Sequence, residues 1–482
     1  MHASPVDRDS RLSFWLRVRE FAVPPSMIEL ATARRAVGDW AGACAAARVD
    51  VDLRLRSVAR TYGADLAARL RADLCQLAPD LLRWHLPRVA PDGLLRPGLT
   101  ISLARYPGTE AGTPHLVVRT PPAWADAGQR ICLTLWDPAR PGSSGPHPHP
   151  RPDRRFRLDL HRHLWDVRRA GELRVRSGAD RRPDAGPVEP EGAIPPGFDC
   201  AVPRWAAEAR LLLDADDPAG LLGAVPGPDE DGGTNVTVRL GSRHRLLLEL
   251  LPDPAGGPGR SRIRTVPARS RTEALPVLPD AATWVLPDLA LLRAGLIRAD
   301  ELHPLVAPAL VPDRPVAGTR PPPGDGAAPR LVECRGARHR IGLVDGVLVA
   351  LDHDPAEIRR EELLAALTGT PLPCLRAIDG AHRQPENLGD IRARLDHGDT
   401  DGAVAAVERL LGPEALLRAG ALREELETAA LRRVSHGLYR AGLVNSAPHP
   451  ASGLSGRRRD LARLVARSRR TSRERPRHAI AR

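Results

Sequence analysis

The feature that most constrains this chain is a stretch that cannot be buried. Asp313 to Pro329, DRPVAGTRPPPGDGAAP, offers only Val316 as a sizeable apolar side chain, and its prolines withhold backbone donors. A second stretch of the same kind, Arg181 to Pro196, lies nearer the middle. No single continuous core can run through both, and 482 residues already favour two to four domains.

Apolar spacing assigns the pieces between these linkers. Residues 22–88 read as a helical subdomain. Ser26 and Glu29 have the spacing of a capping box, and GDWAGACAA, Gly38 to Ala46, reads as a helix stop followed by a helix start. Leu66, Leu70, Leu74 and Leu77 then mark one helical face, and Pro79 starts a short successor. Residues 98–180 read as a β-rich module in which LTISLARY, HLVVRT and RICLTLW alternate with period two, with FRLDL and ELRVRS as further strands.

Residues 200–311 read as an α+β module. Its helix, Trp205 to Leu213, leans inward through Ala206, Ala209, Leu211 and Leu213, a hairpin turns about Gly241 and Ser242, and a helical stop falls at Gly295. Residues 330–444 carry a hairpin turning on Asp345 and Gly346, whose preference for positive φ suits a type I′ turn. A helix from Pro355 to Leu367 and a helical run from Leu388 to Val444 follow, and GDTDGAVAA at Gly398 repeats the earlier cap. Both hairpin modules carry the string G-x-R-H-R, at Gly241 and at Gly336, as a duplicated unit would. Residues 445–482 read as a disordered Arg-rich tail. The expected fold class is α+β and multidomain, with helical ends flanking small antiparallel hairpin modules.

Composition excludes several chemistries. All 71 basic residues are arginine, so there is no P-loop lysine and no Schiff-base lysine. The net charge of +12 is concentrated at the end of the chain, where residues 457–482 contribute +9. Six cysteines lie far apart with no CxxC pair, which argues against a zinc knuckle or a redox dithiol. The first residues, MHASPVDRDSRLSFWLRVREF, lack the apolar core of a signal peptide, and no apolar run is long enough for a membrane span. The expectation is a cytoplasmic protein with reduced thiols, no cofactor and no membrane partner.

The sharpest enzymatic pattern is DLHRHLWD, Asp159 to Asp166. His-x-His after an apolar strand resembles the first metal motif of the amidohydrolase superfamily. That resemblance implies His161 and His163 as zinc ligands at the end of a strand, Phe156 to Leu160, in a metal-dependent hydrolase. His147 and His149 could complete a four-histidine site, although the prolines around them fix an extended loop. The rest of that family's ligand set has no counterpart here. Asp352, His353 and Asp354 form another polar group, but Asp354-Pro-Ala-Glu357 reads as a helix N-terminus. In the tail, Arg457, Arg458, Arg459, Arg463, Arg467, Arg469 and Arg470 could contact nucleic acid through phosphates, with no aromatic residue to stack on bases.

The GDWAGA and GDTDGA strings resemble the turn of a tetratricopeptide-like helical hairpin, which implies binding to a protein partner. As a whole the chain also resembles uncharacterised proteins of GC-rich bacteria, which implies no activity. The expected function is that of a non-enzymatic interaction or accessory protein. A nucleic-acid-associated protein using the tail is the second expectation, and a metal hydrolase using His161 and His163 the third.

Overall fold

A chain poor in aromatics must build its cores from aliphatic side chains on elements whose ends are well capped, and the fold begins in that way. The structure is a computed structural model that describes residues 5–107, 112–126, 128–140, 147–180, 194–195, 197–216, 234–241, 244–251, 261–266, 275–312, 330–369 and 371–443. The linkers Arg181 to Pro196 and Asp313 to Pro329 lie almost wholly outside those residues, and the tail from 445 lies wholly outside them. The fold is α+β, about 50% helix and 19% strand.

Contacts divide the chain into two compact units, one within Met1–Trp124 and Arg130–Ala317, the other within Ala125–Gln129 and Gly318–Val465. The first unit opens with α1 (Pro5–Phe21), α2 (Pro25–Ala36) and α3 (Trp40–Ala46). Gly38, at φ 76°, ends α2 in the left-handed region, and the Asp39 carboxylate accepts the Gly42 N–H at 2.8 Å to start α3. The capping box expected at Ser26 does not form. The helix starts two residues earlier, with Pro25 at its first position and no side-chain cap. Proline there has φ preset and no N–H to satisfy.

The stretch 22–88 is not all helical. β1 (Val49–Asp52) follows α3 and pairs in parallel with a strand some eighty positions on, Val49 opposite Ile131. Four residues are too few to show a period, so only the partner makes them a strand. Next come α4 (Leu55–Tyr62), α5 (Ala64–Gln76) with Leu66, Leu70 and Leu74 buried, and α6 (Pro79–His85). A short ribbon, β2 (Arg88–Val89) and β3 (Leu94–Leu95), leads into β4 (Thr100–Arg105), β5 (His115–Arg119) and β6 (Ile131–Trp136), giving a sheet of order β1-β6-β5-β4.

Two expected strands are corrected. Phe156 to Leu160 alternates in burial yet is irregular. The Asp153 and Leu158 N–H groups donate to Thr100 and Ser102 carbonyls of β4 at 2.8 and 2.7 Å, which lays the segment against the core without a ladder. ELRVRS is helical, α7 (Leu173–Ser177), because Leu173 and Ser177 are buried at i, i+4 spacing while Val175 faces solvent. In α8 (Val202–Asp216) Trp205, Ala209 and Leu212 are buried, whereas Leu211, expected inside, is exposed.

β7 (Thr234–Leu240), β8 (His244–Leu250) and β9 (Ser261–Thr265) form an antiparallel meander, and β9 is a strand not anticipated from sequence. The short helices α9 (Asp280–Thr283), α10 (Pro287–Arg293) and α11 (Ala307–Leu310) complete the unit. One core runs from Phe14 to Leu310, and a smaller one joins α8 to the meander.

The second unit begins with β10 (Arg330–Cys334), β11 (Ala337–Val344) and β12 (Val347–Ala350), again an antiparallel meander. Asp345 and Gly346 both have positive φ, 49° and 74°, as the hairpin reading requires. α12 (Pro355–Thr368), α13 (Pro373–Arg383), α14 (Leu388–His397), α15 (Thr400–Leu411) and α16 (Ala421–Arg440) follow. Gly398 repeats the role of Gly38 at φ 83°, and Asp399 accepts the Gly402 N–H at 3.2 Å. Both G-x-R-H-R strings begin at the first turn of a three-stranded meander, with Gly241 at φ 71° and Gly336 at φ 80°. Among the described residues no helix is long and apolar enough to cross a membrane.

Candidate functional site

His161 and His163 do come together, their rings 5.7 Å apart, at a 3-10 turn, Arg162–Leu164, rather than at a strand end. Both are buried. His161 Nε2 lies 3.2 Å from Glu208 Oε2, off the line of a hydrogen bond. The Glu208 oxygens are already engaged by Arg176 at 2.7 and 2.6 Å and by Arg204 at 3.1 Å. Burial raises the Glu208 carboxyl, but the His161 and Arg176 contacts outweigh it and hold the group well below the usual range. Burial also lowers His161 and, more strongly, His163.

His147 and His149 do not join this pair. The His147 ring nitrogens lie 3.0 Å from the Thr120 carbonyl and 2.9 Å from the His149 carbonyl, bonds that pin the proline loop to the sheet. The four-histidine combination is therefore not assembled. The arginines named in the tail lie outside the described residues.

That pinned loop forms one wall of a cavity of about 760 Å³ in the first unit. Arg96, Arg151, Arg154, Arg155 and Arg239 line it, with Asp153 as the only acidic lining residue among the described residues. Arg155 is buried and anchored: its Nε donates to Asp280 at 2.6 Å and its Nη1 to the Gly241 carbonyl at 3.1 Å. Among the described residues its Nη2 has no acceptor, and neither has Nε of Arg239. Arg96 and Arg155 each sit 5.2 Å from the Phe156 ring centroid, so the aromatic face helps fix both guanidinium planes.

The electrostatics describe an excess of positive charge. Burial, then the Arg155 charge, lowers Arg96; burial, then Arg245 and Arg155, lowers Arg239. Burial raises the Asp280 carboxyl despite its contact with Arg155. Guanidinium groups held near one another, with donors left over, are arranged to share an anion with several acceptor oxygens.

In the second unit the Asp352, His353, Asp354 group divides by role. Asp354 caps α12, accepting the Ala356 N–H at 2.9 Å, as expected. Asp352 accepts from Arg340 N at 2.7 Å and from its Nη2 at 2.7 Å, and those bonds hold the carboxyl down at about 2. His353, fixed between two anchored aspartates, turns inward. One ligating atom of each of Cys334, His353 and Cys374 lies within 4.8 Å of the others, the one such group of three among the described residues. The absence of a CxxC pair argues against a knuckle but says nothing about a group drawn from a strand, a loop and a helix.

Comparison with protein-family models, curated proteins and solved structures finds no match. Sequence reasoning missed both the arginine cavity and the Cys-His-Cys group. For the cavity, the available signal was RPDRRFR at 151–157, dense in arginine beside one aromatic residue.

Proposed function

We propose that this chain is a non-enzymatic binding protein whose first unit takes a small phosphate-bearing ligand in the arginine-lined cavity. The observation that carries this reading is the buried Arg155, which lines the cavity with Nη2 lacking an acceptor beside Arg96 and Arg239. A buried guanidinium donor without a partner is costly, and a phosphate oxygen supplies the missing acceptor. The volume suits a ligand up to nucleotide size, and one aromatic side chain, Phe156, lines the wall. No nucleophile and base are paired among the lining residues, so the cavity favours binding over turnover.

Isothermal titration of the full chain with pyrophosphate tests this. Saturable binding that weakens with added salt, and that falls about tenfold or more in Arg96→Gln and Arg239→Gln, is the expected result. Absence of binding by millimolar pyrophosphate and by nucleoside triphosphates overturns it. Interaction with a protein partner through the helical hairpins remains compatible with this reading, because the cavity uses none of α1, α2 or α3.

A further inference from the structure

The second unit divides its buried residues between two clusters. Its meander packs on one cluster of five buried residues, Cys334, Ile341, Leu372, Cys374 and Ile378, and touches a second cluster of nine, built on α13 to α16, through Leu348. α12 buries none of its fourteen residues, and Leu363, Leu364 and Leu367 face solvent. Two of the five buried residues are cysteines, and neither is in a disulfide.

The strand register gathers the ligating groups. Cys334 pairs with Ala337 and Val332 pairs with His339 across β10 and β11, so Cys334 and His339 emerge on the same sheet face. Ile341 lies on that face too and is buried. α13 covers this face and delivers Cys374 from its first turn. His353 enters from the loop before α12 with its side chain 4% exposed. Its ring centroid is 4.3 Å from that of His339.

Two atoms reveal what the group lacks. His353 Nε2 and His339 Nδ1 are both buried without a hydrogen-bond partner. His353 Nδ1 lies 3.5 Å from Glu357 Oε2. That is the arrangement of a metal-bound imidazole, in which one nitrogen faces a carboxylate and the other is left for the ion. In a tetrahedral zinc site, Zn–S of about 2.3 Å and Zn–N of about 2.0 Å place neighbouring ligand atoms roughly 3.3 to 3.8 Å apart. The Cys334, His353 and Cys374 atoms, all within 4.8 Å of one another, need only small side-chain adjustments to reach that spacing.

We propose that Cys334, Cys374, His353 and His339 bind one zinc ion that cross-links the β10–β11 hairpin, the entry to α12 and the start of α13. His339 lies outside the group of three and would take the fourth position by turning its ring from the face of His353. Two sulfur and two imidazole donors in a closed, buried site select zinc and leave no position for water or substrate, so the ion is structural. Binding releases both thiol protons, so affinity falls as pH falls. The site is independent of the arginine cavity, and loss of either leaves the other testable.

The full chain, expressed without a histidine tag and purified without chelator, should carry about one zinc per chain by plasma mass spectrometry. Cobalt exchanged into it should give the sulfur-to-metal charge-transfer band and strong visible bands of a tetrahedral thiolate site. Cys334→Ser and Cys374→Ser should each abolish stoichiometric zinc, whereas Cys44→Ser, a buried cysteine of the first unit, should retain it. Glu357→Gln should retain zinc with affinity lowered about tenfold. Should the serine variants fail to fold, the wild-type zinc content and cobalt spectrum decide alone. A folded wild-type chain that stays metal-free after incubation with zinc, or a cobalt adduct without the charge-transfer band, overturns the proposal.

Discussion

Substituting Asp288 by alanine tests how the first unit is closed. Asp288, on α10, is fully buried and accepts from Arg19 Nε at 2.7 Å and Nη2 at 2.8 Å, and from Trp84 Nε1 at 3.2 Å. Arg19, on α1, also donates to the Trp84 carbonyl at 2.7 Å and lies 4.3 Å from the Trp84 ring. Burial lowers the guanidinium, and Asp288 opposes that shift. Removing the carboxylate leaves a buried cation, at a cost of about 3–5 kcal/mol. It also leaves the Trp84 N–H unpaired, at about 1–3 kcal/mol if no water enters. Because the contacts form one network these costs do not add, and a loss of about 4 kcal/mol is expected.

Arg19→Met combined with Asp288→Leu removes both charges and should recover at least about 2 kcal/mol relative to the sum of the single changes. Urea unfolding followed by tryptophan emission at several denaturant slopes measures this directly. A cost below about 1 kcal/mol for Asp288→Ala would refute the reasoning, as would additive single and double variants. Either would mean that Arg19 finds water when its partner is gone.

Further outcomes follow from the same geometry. His163 is buried and His85 half-buried with its Nε2 inside, and both are held well below their ordinary value of 6.5, chiefly by desolvation. Their neutral forms are native, so the unfolded chain binds more protons below about pH 6.5, and stability should fall there by about 1.4 kcal/mol per pH unit per histidine. Unfolding free energies from pH 8 to 5.5 that show no such slope would contradict it. Gly38→Val should cost roughly 1–2 kcal/mol from backbone strain alone, since nothing lies within 4 Å of the added carbon. Asp39→Ala should cost about 1 kcal/mol by removing the bond to Gly42 N. Chemical denaturation of the two variants, compared with wild type, checks both values.

Features set by a few adjacent residues were readable in the sequence. Gly38 with Asp39, Gly398 with Asp399, Asp345 with Gly346, and Asp354 before Pro355 each specify their own turn or cap, and each forms. Features set by distant partners were not. β1 is a strand only because β6 lies beside it, and Phe156 and Leu158 alternate because they lie along β4 rather than because they pair in a ladder.

The candidate sites follow the same division. His-x-His is conspicuous as a string, yet it packs beside an arginine–glutamate network. Cys334, His353 and Cys374 show no local motif because the group is brought together by strand register and helix packing. The cavity arginines were hidden by composition, since a chain whose every basic residue is arginine gives no contrast between a binding guanidinium and a solvated one.

The measurement that tests the central claim most directly is a pyrophosphate titration of the full chain and of Arg239→Gln, run side by side at two salt concentrations. Arg239 lines the cavity and its Nε has no partner among the described residues, so its loss should spare stability while weakening binding. The account predicts saturable binding by the wild type, weaker at higher salt, and at least about tenfold weaker in the variant, equivalent to about 1.4 kcal/mol. Equal affinity in the two proteins, or no binding in either, would contradict it.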